Sequence, residues 1–293
     1  MIRYPVNLRE LRARIEAKSP GWLAEAERRT EEFRRAGTYN EKDPIWGRIK
    51  SVYMDLQHDK CAYCERKLAT TDFGGSIEQD MDHYRSKAGV RQWPTPEIAR
   101  ERNISYGFAT GDPFPEGYHL VAYHSLNYVV VCKKCNSPLK SNFFPIASVR
   151  VQGDDPASLQ VERPFLPYPL GDLDEDPEKI LTFEGVSPVP RLKRGPRRRR
   201  AVVTIDFFEL DNREELWRER VTVIDHVYMA LELMQAGDLR QRKHARRSLA
   251  WLVSPDAAHT NCARAFRSLY RRDRQRADEI YRAALAYRDS QSP

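Results

Sequence analysis

The sequence predicts a predominantly helical α+β protein with a small metal-stapled core, and three observations predict it. Apolar residues recur at helical spacing through residues 1–58, and the same period returns beyond residue 213. Between these stretches lie two short strand-like segments. A Cys-x-x-Cys pair adjoins each region of that middle part: Cys61 with Cys64, and Cys132 with Cys135. The expected organisation is an N-terminal helical region (1–58), a core (59–150), an irregular connector (151–200) and a C-terminal helical region (201–293).

Asn7 is a plausible cap for a first helix carrying Leu8, Leu11 and Ile15. A second helix is expected over 20–35, ending at the Gly37 break. Ile45, Ile49, Val52 and Leu56 then recur at helical spacing and deliver the chain to the first cysteine pair. SIEQDMDH, residues 76–83, follows two glycines and reads as a strand. Residues 88–117 hold Pro94, Pro96, Pro113 and Pro115 with little period, and so form a long excursion. An apolar run over 128–131 leads into the second pair, and 133–139 turns into a short helix. The connector holds a possible strand at 179–183 and closes on the basic run RLKRGPRRRR. Residues 213–235, 239–253 and 256–288 read as three helices, with Leu216, Val223, Val227 and Leu231 marking one buried stripe.

Hydrophobic residues make up 41% and charged residues 31% of the 293, a polar balance but one that folds. No apolar run approaches the roughly 18 residues a membrane span needs. The opening MIRYPVNLRE lacks the apolar stretch of a secretory signal, so the expectation is a soluble, cytoplasmic protein with no membrane association. Forty-nine Lys and Arg against 42 Asp and Glu leave a formal charge of +7, which favours a polyanionic partner and is also common on ordinary surfaces. A phosphate-binding Walker loop is absent, which argues against nucleotide hydrolysis by this chain.

In a chain without a secretory signal, paired Cys-x-x-Cys knuckles read as metal ligands before disulfides. Four thiolates at about 2.3 Å from one Zn²⁺ make a closed tetrahedral site with no position open to substrate, so the ion is structural. An iron–sulfur cluster is the rival occupant. Cys262 is left over and reads as a small packed residue. Closing two distant knuckles on one ion pins their neighbours together, and those neighbours are Asp82 and His83, Asn127 before Cys132, Asn136 after Cys135, and Lys140.

CAYC, MDHYRSK and LNYVVVCKKCNSPLK together resemble the HNH nuclease family, whose ββα-metal fold is often buttressed by zinc knuckles. The resemblance spans roughly residues 60–145, about a third of the chain. It implies that Asp82 and His83 end the first strand, that Asn127 is the middle asparagine, and that Asn136 opens the helix after the second knuckle. Asn136 stands where a histidine is commoner, and the long gap between His83 and Asn127 implies an inserted loop that shapes substrate choice. More narrowly, CAYCE, HYR-x-K and CNSxLKSxxFP look like HNH proteins of bacterial defence loci, including the Septu nuclease and some retron systems. That resemblance implies an anti-phage role and an ATPase partner chain.

The chemistry follows from residue types. Phosphodiester hydrolysis needs in-line attack by water and stabilisation of charge on the departing oxygen. A neutral His83 can take the water's proton. Asp82 and the Asn136 carbonyl offer hard oxygens to a catalytic Mg²⁺ or Mn²⁺, and Asn127 orients the histidine indirectly. Asp82 and His83 would face opposite sides of a regular strand, so the strand must end or twist at this pair. Asp80 and Glu78 read as solvated carboxylates, the lesser alternative being that they assist metal binding, and His58, His119 and His124 read as structural or surface groups. Lys140 could contact phosphate or be an exposed helix lysine. Arg197, Arg198, Arg199 and Arg200, with Arg191, Lys193 and Arg194, could track a nucleic-acid backbone or form a solvated loop. DNA is the favoured substrate, with RNA the alternative. The rival function is a zinc-dependent nucleic-acid-binding or scaffold module that cuts nothing.

Overall fold

A computed structural model describes residues 1–68 and 79–290. Glu78 and the first part of the expected strand at 76–83 therefore lie outside the described residues. The chain divides into two compact units: Arg3–Ala62 with Leu68–Asp176, and Met1–Ile2 with Tyr63–Lys67 and the chain from 177 onward.

In the first unit, helix α1 (Leu8–Lys18) starts where Asn7 Oδ1 accepts the Glu10 amide at 2.9 Å, a cap worth about 1 kcal/mol. Leu11 and Ile15 are buried, whereas Leu8 is exposed. Helix α2 (Trp22–Ala36) is bracketed by Gly21 and Gly37, both in the left-handed region. Trp22 donates from Nε1 to the Ile45 carbonyl, which ties α2 to the next segment. A 3₁₀ turn at Trp46–Ile49 runs into helix α3 (Lys50–Leu56), and Ile45, Ile49, Val52 and Leu56 are all buried.

Strand β1 (Gln79–His83), the short helix α4 (Pro96–Glu101) and strand β2 (Tyr128–Cys132) follow. The strands pair antiparallel, with Asp82 opposite Val129 and His83 opposite Tyr128. β2 is buried along its whole length, which explains why it reads as a continuous apolar run rather than an alternating one. Gln57 holds it from α3: its amide nitrogen donates to the Val130 carbonyl at 2.7 Å, and its oxygen accepts the Val130 amide at 2.8 Å. The expected short helix after the second knuckle is a π-helical turn, Cys135–Lys140, with Pro138 inside it. A proline has no amide to give a regular helical ladder, and this wider turn accommodates it.

The excursion over 88–117 returns to its own start. Val90 exchanges backbone hydrogen bonds with Phe114, and the Tyr118 amide donates to Ser86. Gly117 makes the return possible: at φ +61 a Cβ would lie 2.2 Å from the Ala88 carbonyl oxygen.

In the second unit, strands β3 (Leu181–Glu184) and β4 (Ser187–Pro190) form a hairpin turned by Gly185. Helix α5 (Pro196–Phe207) opens with proline at its first turn. The basic run expected to be irregular is thus half helical, because the arginines from 197 on are good helix formers and proline starts rather than breaks a helix. Helix α6 (Glu214–Ala236) buries Leu216, Val227 and Leu231 of the expected stripe, together with Val221 and Ile224, whereas Val223 is only partly buried. Helix α7 (Leu239–Leu252) begins with a full capping box between Asp238 and Gln241.

The single helix expected over 256–288 is two, α8 (Thr260–Arg272) and α9 (Arg274–Ser290). Asp273 divides them: its amide closes the last turn of α8 onto Leu269, and its carboxylate accepts the Arg276 amide in the first turn of α9. α6, α8 and α9 share a core that includes Ile224, Val227, Phe266 and Tyr270. Cys262 lies fully buried in it, and burial pushes its thiol up to about 12. No helix among the described residues is long and apolar enough to cross a membrane.

Candidate metal centre and active site

The two knuckles converge. The sulfurs of Cys61, Cys64, Cys132 and Cys135 all lie within 4.8 Å of one another, and all four residues are buried. The first knuckle follows α3 and is held to β2 by a 3.0 Å hydrogen bond from the Ala62 amide to Val130. The second straddles the end of β2 and the start of the π turn. In a tetrahedron with bonds of about 2.3 Å the sulfurs stand about 3.8 Å apart, so a small contraction seats a single zinc-sized ion. A multi-iron cluster would insert its own atoms among the thiolates and spread them further. The donor set is closed, which suits a structural ion.

Asp82 and His83 occupy the end of β1, where the strand stops. Asp82 is 4% exposed, and its Oδ1 pairs with Lys140 Nζ at 3.2 Å. The same ammonium donates to the His83 carbonyl at 2.8 Å. Lys140 is therefore buried rather than on an exposed helix face, because the π turn folds its stem back under β1.

The His83 ring sits edge-on between Trp46 and Tyr128, at 4.7 and 5.0 Å between centroids. One ring nitrogen donates to the Ala122 carbonyl, while Nε2 is buried and has no hydrogen-bond partner among the described residues. Burial first, then the cations of Lys87 and Lys140, hold the imidazole well below its ordinary range. The ring is consequently neutral near pH 7, with its lone pair on Nε2.

Asn127 braces this arrangement from behind. Its Oδ1 accepts the Arg85 amide at 2.8 Å, and its Nδ2 donates to the carbonyls of Arg85 and Val121 at 3.1 and 3.0 Å. It thereby ties the backbone just after His83 to the segment that supplies the Ala122 acceptor. Arg85 is rooted in turn by a buried ion pair with Glu162, whose carboxylate also accepts from Tyr118.

Asn136 is engaged by Asp80. Its Nδ2 donates to Asp80 Oδ2 at 2.9 Å, and Asp80 also pairs with Lys133. Asp80, read from the sequence as solvated, is thus half-buried and engaged. Among the described residues the only cluster of three or more His, Cys, Asp or Glu ligands is the cysteine site.

Two residues of the site went unremarked in the sequence. Lys87 Nζ lies 4.6 Å above the Trp46 ring, and burial lowers its pKa while Asp82 opposes that shift. Trp46 thus touches both the histidine and the lysine. HYR-x-K, residues 83–87, carried the signal for Lys87; nothing local marked Trp46. In the second unit, Arg197, Arg198 and Arg199 in the first turn of α5 are exposed, and Arg200 after them is half-buried.

No family model and no solved structure matches the chain. A curated relative, the Septu protein PtuB of Bacillus mycoides (strain KBAB4), is 24% identical over 175 residues, which are 60% of this chain and 50% of the relative. The chain thus spans about half the length of the curated relative it matches.

Proposed function

We propose that this chain is an HNH-type nuclease that hydrolyses nucleic-acid phosphodiester bonds in anti-phage defence, with DNA the favoured substrate. The observation that carries the reading is His83: a buried, neutral imidazole whose Nε2 has no hydrogen-bond partner among the described residues, next to Asp82 in the chain. Leaving a buried acceptor unpaired costs about 1–3 kcal/mol. A water molecule poised for attack would satisfy it. Similarity to a Septu protein supports the defence role.

In this reading Nε2 takes the proton of the attacking water, and the Nδ1 hydrogen bond to Ala122 stabilises the imidazolium that results. Asn127 keeps the ring and its acceptor in register. Lys87, half-buried beside the histidine, offsets the phosphate's charge. A catalytic Mg²⁺ or Mn²⁺ would polarise the scissile phosphate. Its hard-oxygen donors would be Asp82 and Asn136, assisted by Asp80, which suits an ion held by one or two carboxylates plus waters.

The arginines of α5 support an anionic substrate. A helix N-terminus carries partial positive charge, so cations in the first turn are each unfavourable by about 0.3–1 kcal/mol. Three arginines there, followed by Arg200, suit a surface that meets phosphates.

The test is cleavage of plasmid DNA and of total RNA by wild type and His83→Ala, each with Mg²⁺ or Mn²⁺ and with chelator. Loss of general-base catalysis should slow cleavage about 10²–10⁴-fold. Equal rates would remove His83 from the mechanism.

The ion pair of Asp82 with Lys140, and the separate engagement of Asn136, favour a second reading: a non-catalytic zinc-dependent binding module. It predicts salt-sensitive nucleic-acid binding that His83→Ala leaves unchanged, and no cleavage with any metal. Activity restored by a co-expressed ATPase partner would decide for the nuclease.

A further inference from the structure

The second unit carries a groove that its own helices do not fill. α6 and α7 are joined by only Gly237 and Asp238, so they run antiparallel as a helical hairpin. α8 and α9 pack on α6 and on each other, whereas α7 packs mainly on α6. The outer seam between α6 and α7 forms a groove of about 440 Å³. His226, Met229 and Leu233 line it from α6, and His244, Ser248 and Trp251 from α7. These are helical stripes on both walls, the geometry that seats a third helix. Trp251 is 57% exposed and Met229 48%, a costly display for an aromatic and a thioether.

The charge beside the groove is one-sided. α7 carries Arg240, Arg242, Lys243, Arg246 and Arg247, and no carboxylate occurs between Asp238 and Asp256. By helical spacing, Arg240 and Arg247 each lie one turn from His244, and Lys243 joins them on the rim. Among the described residues none of these three forms an ion pair. Several arginines of the neighbouring helices are paired: Arg264 with Glu178, Arg274 with Asp278 and Arg288 with Asp225.

We propose that this groove is a docking site for an acidic amphipathic helix of a partner protein. Aliphatic anchors of that helix fill the space over Leu233 and against Trp251, and its carboxylates meet Arg240, Lys243 and Arg247. An apolar floor suits such anchors better than phosphates or sugars. A second copy of this chain would set two cationic rims against each other, which is unfavourable. The inference stands independently of whether His83 is catalytic.

The experiment uses the full chain and two fluorescent peptides of about 18 residues, long enough to form a helix on binding. Both carry leucine at i, i+3, i+4 and i+7; one has glutamate and the other lysine at the remaining positions. The glutamate peptide is expected to bind at least roughly tenfold more tightly than the lysine peptide. W251E should weaken it by a similar factor, and the triple reversal R240E/K243E/R247E should invert the preference. These side chains are exposed, and circular dichroism checks that the variants remain folded. No binding of the glutamate peptide up to about 1 mM, equal binding of both peptides, or insensitivity to W251E overturns the proposal. So does Trp251-dependent binding of single-stranded DNA, or a dimer in light scattering that W251E dissociates.

Discussion

At the scale of single residues, the first unit is organised by polar groups withdrawn from water and paired with care. Arg85 and Glu162 form such a pair, almost wholly buried, with Tyr118 donating to the same carboxylate and Arg85 stacked over Phe144 at 4.7 Å. Removing one partner strands the other's charge, so Glu162→Ala should destabilise the protein by about 3–5 kcal/mol in a urea titration. A loss below about 1 kcal/mol would show that water reaches the site and that the pair does not hold Arg85 in place.

His124 gives the acid behaviour. Its Nδ1 accepts the Leu126 amide at the start of the turn that presents Asn127, and burial first lowers its pKa to about 4, with Asp155 and Asp154 opposing and Arg12 assisting. The unfolded chain then binds the proton more readily than the fold does. Its contribution is complete above about pH 6.5 and is lost as pH falls towards 4, up to about 3 kcal/mol. His83 and His259, both lowered chiefly by burial, act in the same direction. His124→Asn keeps an acceptor without the titration, and should flatten the acid limb of a stability–pH profile. An unchanged limb would assign the acid loss to other groups.

At the scale of elements, caps and turns decide where helices stop and how the loops return. The capping box of α7 should make Asp238→Ala cost about 1 kcal/mol, read as a shift in denaturation midpoint at constant slope. Gly117 is less forgiving. Alanine there would collide with the backbone of Ala88, so Gly117→Ala must displace residues 86–88 and with them Lys87. If the nuclease reading holds, that variant should lose activity at temperatures where circular dichroism shows it still folded. Full activity in a folded protein would place Lys87 outside the reaction.

At the scale of the whole molecule, the cysteine site ties together stretches some seventy residues apart in sequence. Binding energy for such an ion counts directly towards folding. The purified chain should carry one zinc by elemental analysis, and Cys132→Ser should lose it together with a large drop in melting temperature. A zinc-free wild-type protein of undiminished stability would leave the thiols as mere packing.

Much of this was legible along the chain. Helical periodicity located α1, α2, α3, α6 and α7, because apolar spacing is a property of the sequence itself. The cysteine spacing named the candidate metal donors for the same reason, and Asn127 and His83 stood out by their registration with them. The break at Asp273 was less visible, since a single aspartate can sit within a helix or cap two. Lys140 and Asn136 were placed by position alone, and no local rule could say that a π turn would bury the first against Asp82 or that the second would meet Asp80.

The sequence by itself determined which residues could bind metal, which could take a proton, and where helices had to form, since residue type and spacing suffice for those. Only the tertiary structure decided that His83 has one buried nitrogen without a partner among the described residues, that Trp46 and Lys87 stand beside it, and that the outer seam of α6 and α7 lies open. Solvation and partner choice depend on groups that meet in space from distant parts of the chain, and these are what fix the state of an ionisable side chain.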